Sequence, residues 1–281
     1  MELVDPLLAV LLGVLVIGFA IFPGWRVNPR VVDRWAAAAG LELSEHGRLA
    51  VAHYLRWSKR GRTFGGLAGL AVPYAVWLLA GTPGRPPFPL GYVLLGYLAG
   101  SLVAEIVLAR STADSPAALL APRRLSDYLS GLTLCAQRGL GTAAIVLGAA
   151  YALSADESPG IGPIVFGVAG GLGWLALEIW QRLIVVRRQG IAGAEDALLD
   201  DATRSHSVQA VAGPGLALLC FVVVAEIGMF RDAVSRPAST VENLLTIVQV
   251  VLLLAAVVFW VNLAEPRQLR TRRVSVSGTA A

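Results

Sequence analysis

Seven apolar blocks, each about as long as a bilayer is thick, dominate the sequence and limit what it can fold into. A helix needs roughly 20 apolar residues to cross the hydrocarbon core. Strands with open edges would leave backbone groups unpaired in lipid, so we predict that all seven blocks are helices. The predicted spans are 7–22, 64–80, 90–109, 139–153, 161–186, 208–230 and 244–263. The fourth is short and rich in Gly and Ala, and whether it crosses fully is left open.

The composition excludes an ordinary soluble domain. Hydrophobic residues make up 56% of the chain and charged residues 15%, whereas soluble domains carry about 25% charged residues. Too few charges remain to cover a water-exposed surface. We therefore predict an all-α fold, a polytopic transmembrane helical bundle over residues 1–264. A basic tail over residues 265–281 is predicted to be disordered.

The distribution of basic residues predicts the orientation of the bundle. Of the 23 Lys and Arg residues, 20 fall in alternate loops, at their helix ends or in the tail, and three fall in the remaining turns. Basic residues concentrate on the cytoplasmic side of membrane proteins. This places the N-terminus outside and the C-terminus in the cytoplasm. The predicted cytoplasmic loops are 23–63, 110–138 and 187–207.

The first of these loops contains two helix signals. Asp33 is a candidate N-cap, with Gly40 at the position that follows the helix. Ser44 is a candidate N-cap for a second, basic helix from Glu45 to about Arg60. This basic helix is more typical of a segment that lies on an anionic lipid surface than of a DNA-binding helix. We expect no nucleic-acid partner.

The third predicted loop is acidic and differs from the other two. Its carboxylates include Asp196, Asp200 and Asp201, and His206 follows them. Oxygen ligands of this type, with the imidazole, are weak candidates for a divalent metal site. The simpler interpretation is an acidic face that docks on the basic first and second loops. On that interpretation no metal is bound.

Ionisable side chains within the apolar blocks are candidate functional residues, because they are costly to place in lipid. Glu105 and Glu178 lie in the inner halves of their spans, and Asn262 adds polarity at a similar depth. Arg182 stands at i+4 from Glu178, so a structural ion pair within one helix is the alternative to an ion or proton pathway. Glu226 lies nearer the outer end, where we expect it to reach water.

Small residues suggest how the helices approach one another. Gly213, Pro214 and Gly215 lie together in the sixth span and predict a break or kink there. Glycines spaced four apart are typical of close helix packing in membranes. Such pairs are Gly65 and Gly69, Gly96 and Gly100, and Gly167 and Gly171.

Three stretches resemble uncharacterised polytopic membrane proteins of actinobacteria. They are Pro122–Leu129, where Leu125 and Leu129 share a predicted interfacial helix face, Glu195–Ala202 followed by Arg204 and Ser205, and Gly96–Gly100 running into Ala104 and Glu105. The resemblance implies a bacterial source and a location in the cytoplasmic membrane. It implies no activity and therefore no functional residues.

Function is open among three classes. The sequence has no metalloprotease motif, phosphate-binding loop or catalytic triad that could be placed, so we expect a non-enzymatic binding, regulatory or accessory membrane component without a cofactor. A small secondary transporter using Glu105 and Glu178 is the alternative, and an intramembrane enzyme is the third. Expected partners are anionic lipids at the cytoplasmic face, and a membrane protein or a second copy of the chain.

Overall fold

A computed structural model shows an all-α protein and describes residues 27–79, 90–111, 123–154, 161–187, 194–233 and 239–264. Seven α-helices and no strands occur in these ranges. They are α1 (Pro29–Ala39), α2 (Glu45–Leu79), α3 (Leu90–Ser111), α4 (Gly131–Ser154), α5 (Ile161–Val186), α6 (Ala194–Ala233) and α7 (Ser239–Ala264). The predicted first span, 7–22, and the predicted tail, 265–281, lie outside the described residues.

Five of the described helices, α3 to α7, are long and apolar enough to cross a membrane. The prediction of a transmembrane helical bundle is thereby confirmed. The weak fourth block belongs to α4, which begins at Gly131 and has 24 residues, enough to span. The predicted second span, 64–80, lies on α2, which is not among the five apolar helices. The direction in which the chain enters the bilayer stays a prediction.

Helix α2 joins two segments that the sequence analysis kept apart. The predicted basic helix and the predicted second span form one helix of 35 residues, about 52 Å long at 1.5 Å per residue. Ser44 begins it as predicted, because its hydroxyl accepts a hydrogen bond from the Gly47 amide at 3.1 Å. At the junction of the two segments, residues 61–63, only Gly61 disfavours a helix, and a single glycine costs a helix about 1 kcal/mol.

The short helix α1 begins earlier than predicted. The Asn28 side chain accepts a hydrogen bond from the Arg30 amide at 2.9 Å, and Pro29 occupies the first turn, where proline is favoured. Asp33 is therefore inside the helix, and its predicted role as N-cap is wrong. The end is as predicted, since Gly40 adopts a left-handed φ of 69° after Ala39.

Helix α6 extends well beyond the predicted sixth span. It has 40 residues, about 60 Å, which is roughly twice the thickness of the hydrocarbon core. Residues 194–207, predicted as loop, form its first turns. Asp196 and Asp200 are like charges one turn apart, which by themselves oppose a helix. Arg204 pairs with Asp200 at 2.5 Å on the same helix and offsets that repulsion.

The helix continues through Gly213, Pro214 and Gly215, so the predicted break is absent, and the alternative of a kink stays a prediction. The glycines instead allow close packing. Gly213 lies beside the Leu263 side chain and the Phe259 carbonyl of α7, and Gly215 lies beside Leu177 of α5. Neighbouring helices commonly support a proline within a membrane helix in this way.

The predicted interfacial helix near Pro122 is reduced to a single 3₁₀ turn, Leu125–Asp127. The Asp127 carboxylate accepts a hydrogen bond from the Arg124 amide at 2.9 Å, which closes the turn on itself. Tyr128 and Leu129 then enter the apolar core. The segment is thus anchored by burial and does not lie flat as a longer helix.

Glycines bring α2 and α3 into backbone contact. Gly61 and Gly65 of α2 lie against Gly100, and Gly65 and Gly69 lie against Gly96. A Cβ atom at Gly65 would overlap the Gly96 carbonyl oxygen, and one at Gly100 would overlap the Gly61 carbonyl oxygen. The predicted packing role of Gly65, Gly69, Gly96 and Gly100 is confirmed.

One end of the bundle is closed by a layer that we call the cap. It consists of α1, the first part of α2 up to Thr63, residues 123–130 and residues 194–207 of α6. The cap has an apolar core of its own, formed by Val32, Trp35, Ala39, Val51, Leu199 and Ala202. Helix α6 continues from the cap into the bundle, where it contacts α2, α3, α4, α5 and α7.

Candidate functional site

Glu105 lies at the junction of the cap and the bundle, and it is buried. The Arg187 guanidinium donates to its Oε2 at 2.7 Å. The Ser207 hydroxyl donates to its Oε1 and is itself 2.8 Å from the Tyr54 hydroxyl. Burial raises the pKa of the Tyr54 phenol above its usual range, so this group stays protonated. The predicted site residue Glu105 is therefore fully engaged by groups from α2, α6 and the end of α5.

Arg204 is the most completely enclosed charge among the described residues, with none of its surface exposed. Its guanidinium donates to the carbonyl oxygens of Ile184 at 2.8 Å, Val185 at 2.7 Å and Arg187 at 3.0 Å. These carbonyls end α5 and have no partners within that helix. A cation also interacts favourably with the negative end of a helix. Arg204 therefore fixes the end of α5 to α6.

Asp200 is the centre of an ion-pair network. Besides Arg204, it meets Arg187 at 3.4 Å and Arg123 at 3.5 Å. The neighbouring Asp201 accepts a hydrogen bond from the Tyr128 hydroxyl at 2.6 Å. Burial, and then this hydrogen bond, raise the pKa of the Tyr128 phenol. The expected docking of the acidic segment on the basic second loop is thus present through Arg123 and Asp200.

The weak metal candidates do not come together. In the ranges that the structure describes, no three His, Cys, Asp or Glu side chains are grouped in a way that could hold a metal ion. Asp200 is occupied by guanidinium groups. His206 instead packs between aromatic rings, with centroids 5.8 Å from Tyr54 and 6.4 Å from Trp35.

Glu178 forms a second, separate cluster. Arg182 reaches its Oε1 at 2.8 Å, so the ion pair predicted from the i+4 spacing is confirmed. Arg138 of α4 reaches the same oxygen at 2.8 Å. Beside them, the amides of Gln137 and Gln181 donate to each other, at 3.2 and 2.9 Å. Glu178 and Glu105 share no partner among these contacts.

The two remaining candidates in the membrane behave differently. Asn262 donates to the Val258 carbonyl of its own helix at 2.9 Å and joins neither cluster. Glu226 was expected to reach water, but only 2% of it is exposed. Within the described ranges, neither of its carboxylate oxygens has a hydrogen-bond partner. Glu226 lies beside Gly148 of α4 and Gly167 of α5, where these two helices touch.

A double-mutant cycle tests the Glu178 cluster. Arg182→Ala alone is expected to cost about 1 kcal/mol or less, because both arginines are more than half exposed and Arg138 retains the carboxylate. Removing Arg138 and Arg182 together leaves Glu178 unpaired and should cost more than the two single losses added. Unfolding of the purified protein in detergent gives the three values.

Glu178→Gln supplies the control for this cycle. In the background that lacks both arginines it should restore part of the lost stability, because an amide costs less to bury than an unpaired charge. Losses that add to within about 0.5 kcal/mol would mean that the arginines do not act on a common carboxylate.

Two cavities open around the cap. The larger, about 470 Å³, lies between the start of α1, the middle of α2, α3 and α6. Lys59, Arg62 and His206 are among its lining residues, and none of the described lining residues is a carboxylate. The smaller, about 280 Å³, is lined by both signs of charge, including Arg187, Asp196 and Asp200. Sequence reasoning missed the larger one because its polar residues come from four separate segments.

No known protein family matches the chain, and neither a curated protein nor a solved structure does.

Proposed function

We propose that this chain is a non-enzymatic binding or regulatory component of the cytoplasmic membrane, with the cap on the cytoplasmic side. The observation that carries the proposal is that Glu105 and Glu178, the two acids of the transporter alternative, are both ion-paired. Glu105 is bound by Arg187 and Ser207, and Glu178 by Arg138 and Arg182. A carboxylate that carries ions must be free to exchange partners, and these two are fixed in separate clusters.

The cap supports a binding role. It is a packed layer with its own apolar core, and Arg204 connects it to the end of a membrane helix. It also contains a cavity large enough for a small ligand, since such sites measure about 300–1,000 Å³. The excess of basic residues in the loops that build the cap supports its placement beside the anionic inner leaflet.

Flux measurements on reconstituted vesicles test this function. Under an imposed pH gradient and membrane potential, we expect proton, sodium and potassium fluxes equal to those of protein-free vesicles. Glu105→Gln and Glu178→Gln should change the stability of the protein and leave these fluxes unaltered. A flux that the intact chain supports and either variant abolishes would reject the proposal.

Proton transport through Glu226 is the second candidate, favoured by its burial without a partner. An ionisable side chain without a partner is costly to place within a membrane helix and is therefore a functional candidate. If it carries protons, Glu226→Gln should abolish a proton flux that Glu242→Gln leaves intact. Glu242 is the matched control because it is an exposed glutamate in the first turn of α7. Equal fluxes for both variants and for the intact chain would dismiss this candidate.

A further inference from the structure

The larger cap cavity has an unbalanced charge. Among the described residues, its polar lining consists of Asn28, Ser58, Lys59, Arg62, Thr63 and His206, with Tyr97, and these include two cations and no carboxylate. By contrast, Arg123 and Arg204 of the cap, and Arg187 beside it, all reach Asp200. Among the described residues, Lys59 and Arg62 have no such ion pair. The cavity therefore carries positive charge that the described residues do not neutralise.

Hydrogen-bond donors in the cavity wall also lack acceptors. The Nε of Arg62 and the Nδ1 of His206 are buried, and neither has a partner in the described part of the chain. Arg62 does approach the His206 Nε2 at 3.5 Å, and its guanidinium carbon is 6.0 Å from the Tyr97 ring centre. These contacts orient the guanidinium but supply no negative charge. Buried donors without acceptors are uncommon and costly.

The position of the cavity suggests where its ligand comes from. Lys59, Arg60 and Arg62 are the last basic residues of α2 before the apolar stretch that begins at Phe64, and Lys59 and Arg62 line the cavity. Val27, Val31 and Leu55 form an apolar part of the same wall. The cavity lies beside the membrane and has cations in one part of its wall and apolar side chains in another. Such a cavity suits an amphiphilic ligand.

We infer that this cavity binds a phosphate group, carried by an anionic amphiphile of the adjoining leaflet. A phosphate offers several acceptor oxygens, which match the guanidinium of Arg62, the ammonium of Lys59 and the hydroxyls of Ser58 and Thr63. The same donors would also bind a free phosphate ester, so the test distinguishes a lipid headgroup from a free phosphate. The inference rests on the proposed binding function and names its ligand class.

Binding to the purified protein in detergent tests the inference. Dioleoylphosphatidylglycerol is titrated and its retention measured by native mass spectrometry, with dioleoylphosphatidylcholine as the neutral comparison. Arg62→Gln and Lys59→Gln should each weaken phosphatidylglycerol binding by about tenfold or more, the effect of losing one charge-assisted contact. Arg56→Gln is the matched control, because Arg56 is exposed on the same helix and does not line the cavity. It should leave the affinity within about twofold.

Competition with inorganic phosphate separates the sources. Displacement of phosphatidylglycerol by millimolar phosphate supports a site for a free phosphate group, and failure to displace it supports a lipid headgroup. Equal binding by Arg56→Gln, Arg62→Gln and Lys59→Gln would overturn the inference. If Arg62→Gln does not fold, Lys59→Gln decides alone. If the lipid-binding test is negative and the reconstituted vesicles show no ion flux, the proposed binding function stands and its site lies elsewhere. Ion flux through the intact chain would reject that function, whatever the outcome of the lipid-binding test.

Discussion

Gly65→Ala is expected to destabilise the protein by about 3 kcal/mol, at the upper end of the cost of overpacking a close contact. The added methyl group would overlap the carbonyl oxygen of Gly96 and approach the backbone of Gly100. Because the obstacle is backbone and not a flexible side chain, α2 and α3 must move apart along their whole contact. Unfolding in detergent, followed by circular dichroism, measures the loss.

Gly66→Ala is the matched control for this prediction. Gly66 is the next residue of α2, and a Cβ atom there would meet only Val93 Cγ1, at 3.9 Å. Alanine also favours a helix more than glycine does, by roughly 1 kcal/mol, so this variant should be neutral or slightly more stable. Similar behaviour of Gly65→Ala and Gly66→Ala would show that α2 and α3 are not in backbone contact.

Arg204→Ala should cost about 3–5 kcal/mol, the range observed when one partner of a buried charged pair is removed. The change leaves the carbonyls of Ile184 and Val185 without their donor and Asp200 without its nearest cation. It also detaches the cap from the end of α5. We expect an earlier unfolding transition, and faster amide hydrogen exchange in the last turns of α5.

Two comparisons sharpen this prediction. Arg204→Lys should recover little of the loss, because one ammonium cannot replace a planar guanidinium that meets several acceptors at fixed angles. Arg48→Ala removes an arginine from a pair with Asp33 in which both side chains are more than half exposed, so it should cost about 1 kcal/mol or less. Equal losses for Arg48→Ala and Arg204→Ala would refute the structural role of Arg204.

Local patterns in the sequence predicted the features that depend on neighbours along the chain. The apolar blocks indicated the membrane helices, because crossing lipid requires an unbroken apolar run. The spacing of Glu178 and Arg182 indicated their ion pair, because residues four apart share one helix face. The glycine spacings indicated close helix contacts, although they did not say that Gly65 would meet Gly96.

Features that depend on the arrangement of distant segments were not predictable in this way. Arg138 completes the Glu178 cluster from another helix, 40 positions away in sequence. The acidic segment 194–207 was predicted as a loop because it lies between two apolar blocks, and two of the three cations that pair with Asp200, Arg123 and Arg187, come from outside α6. Glu226 was placed in water by its nearness to a helix end, yet α4 and α5 cover it at Gly148 and Gly167.

The length of α6 has a mechanical consequence. This one continuous helix contains both His206 and Glu226. His206 lies at the cap cavity, and Glu226 lies at the contact of α4 and α5. Twenty residues separate them, which is about 30 Å of helix at 1.5 Å per residue. A helix transmits an axial displacement along its whole length when its hydrogen bonds stay intact. A shift of α6 along its axis at the cap would therefore also move Glu226 past Gly148 and Gly167.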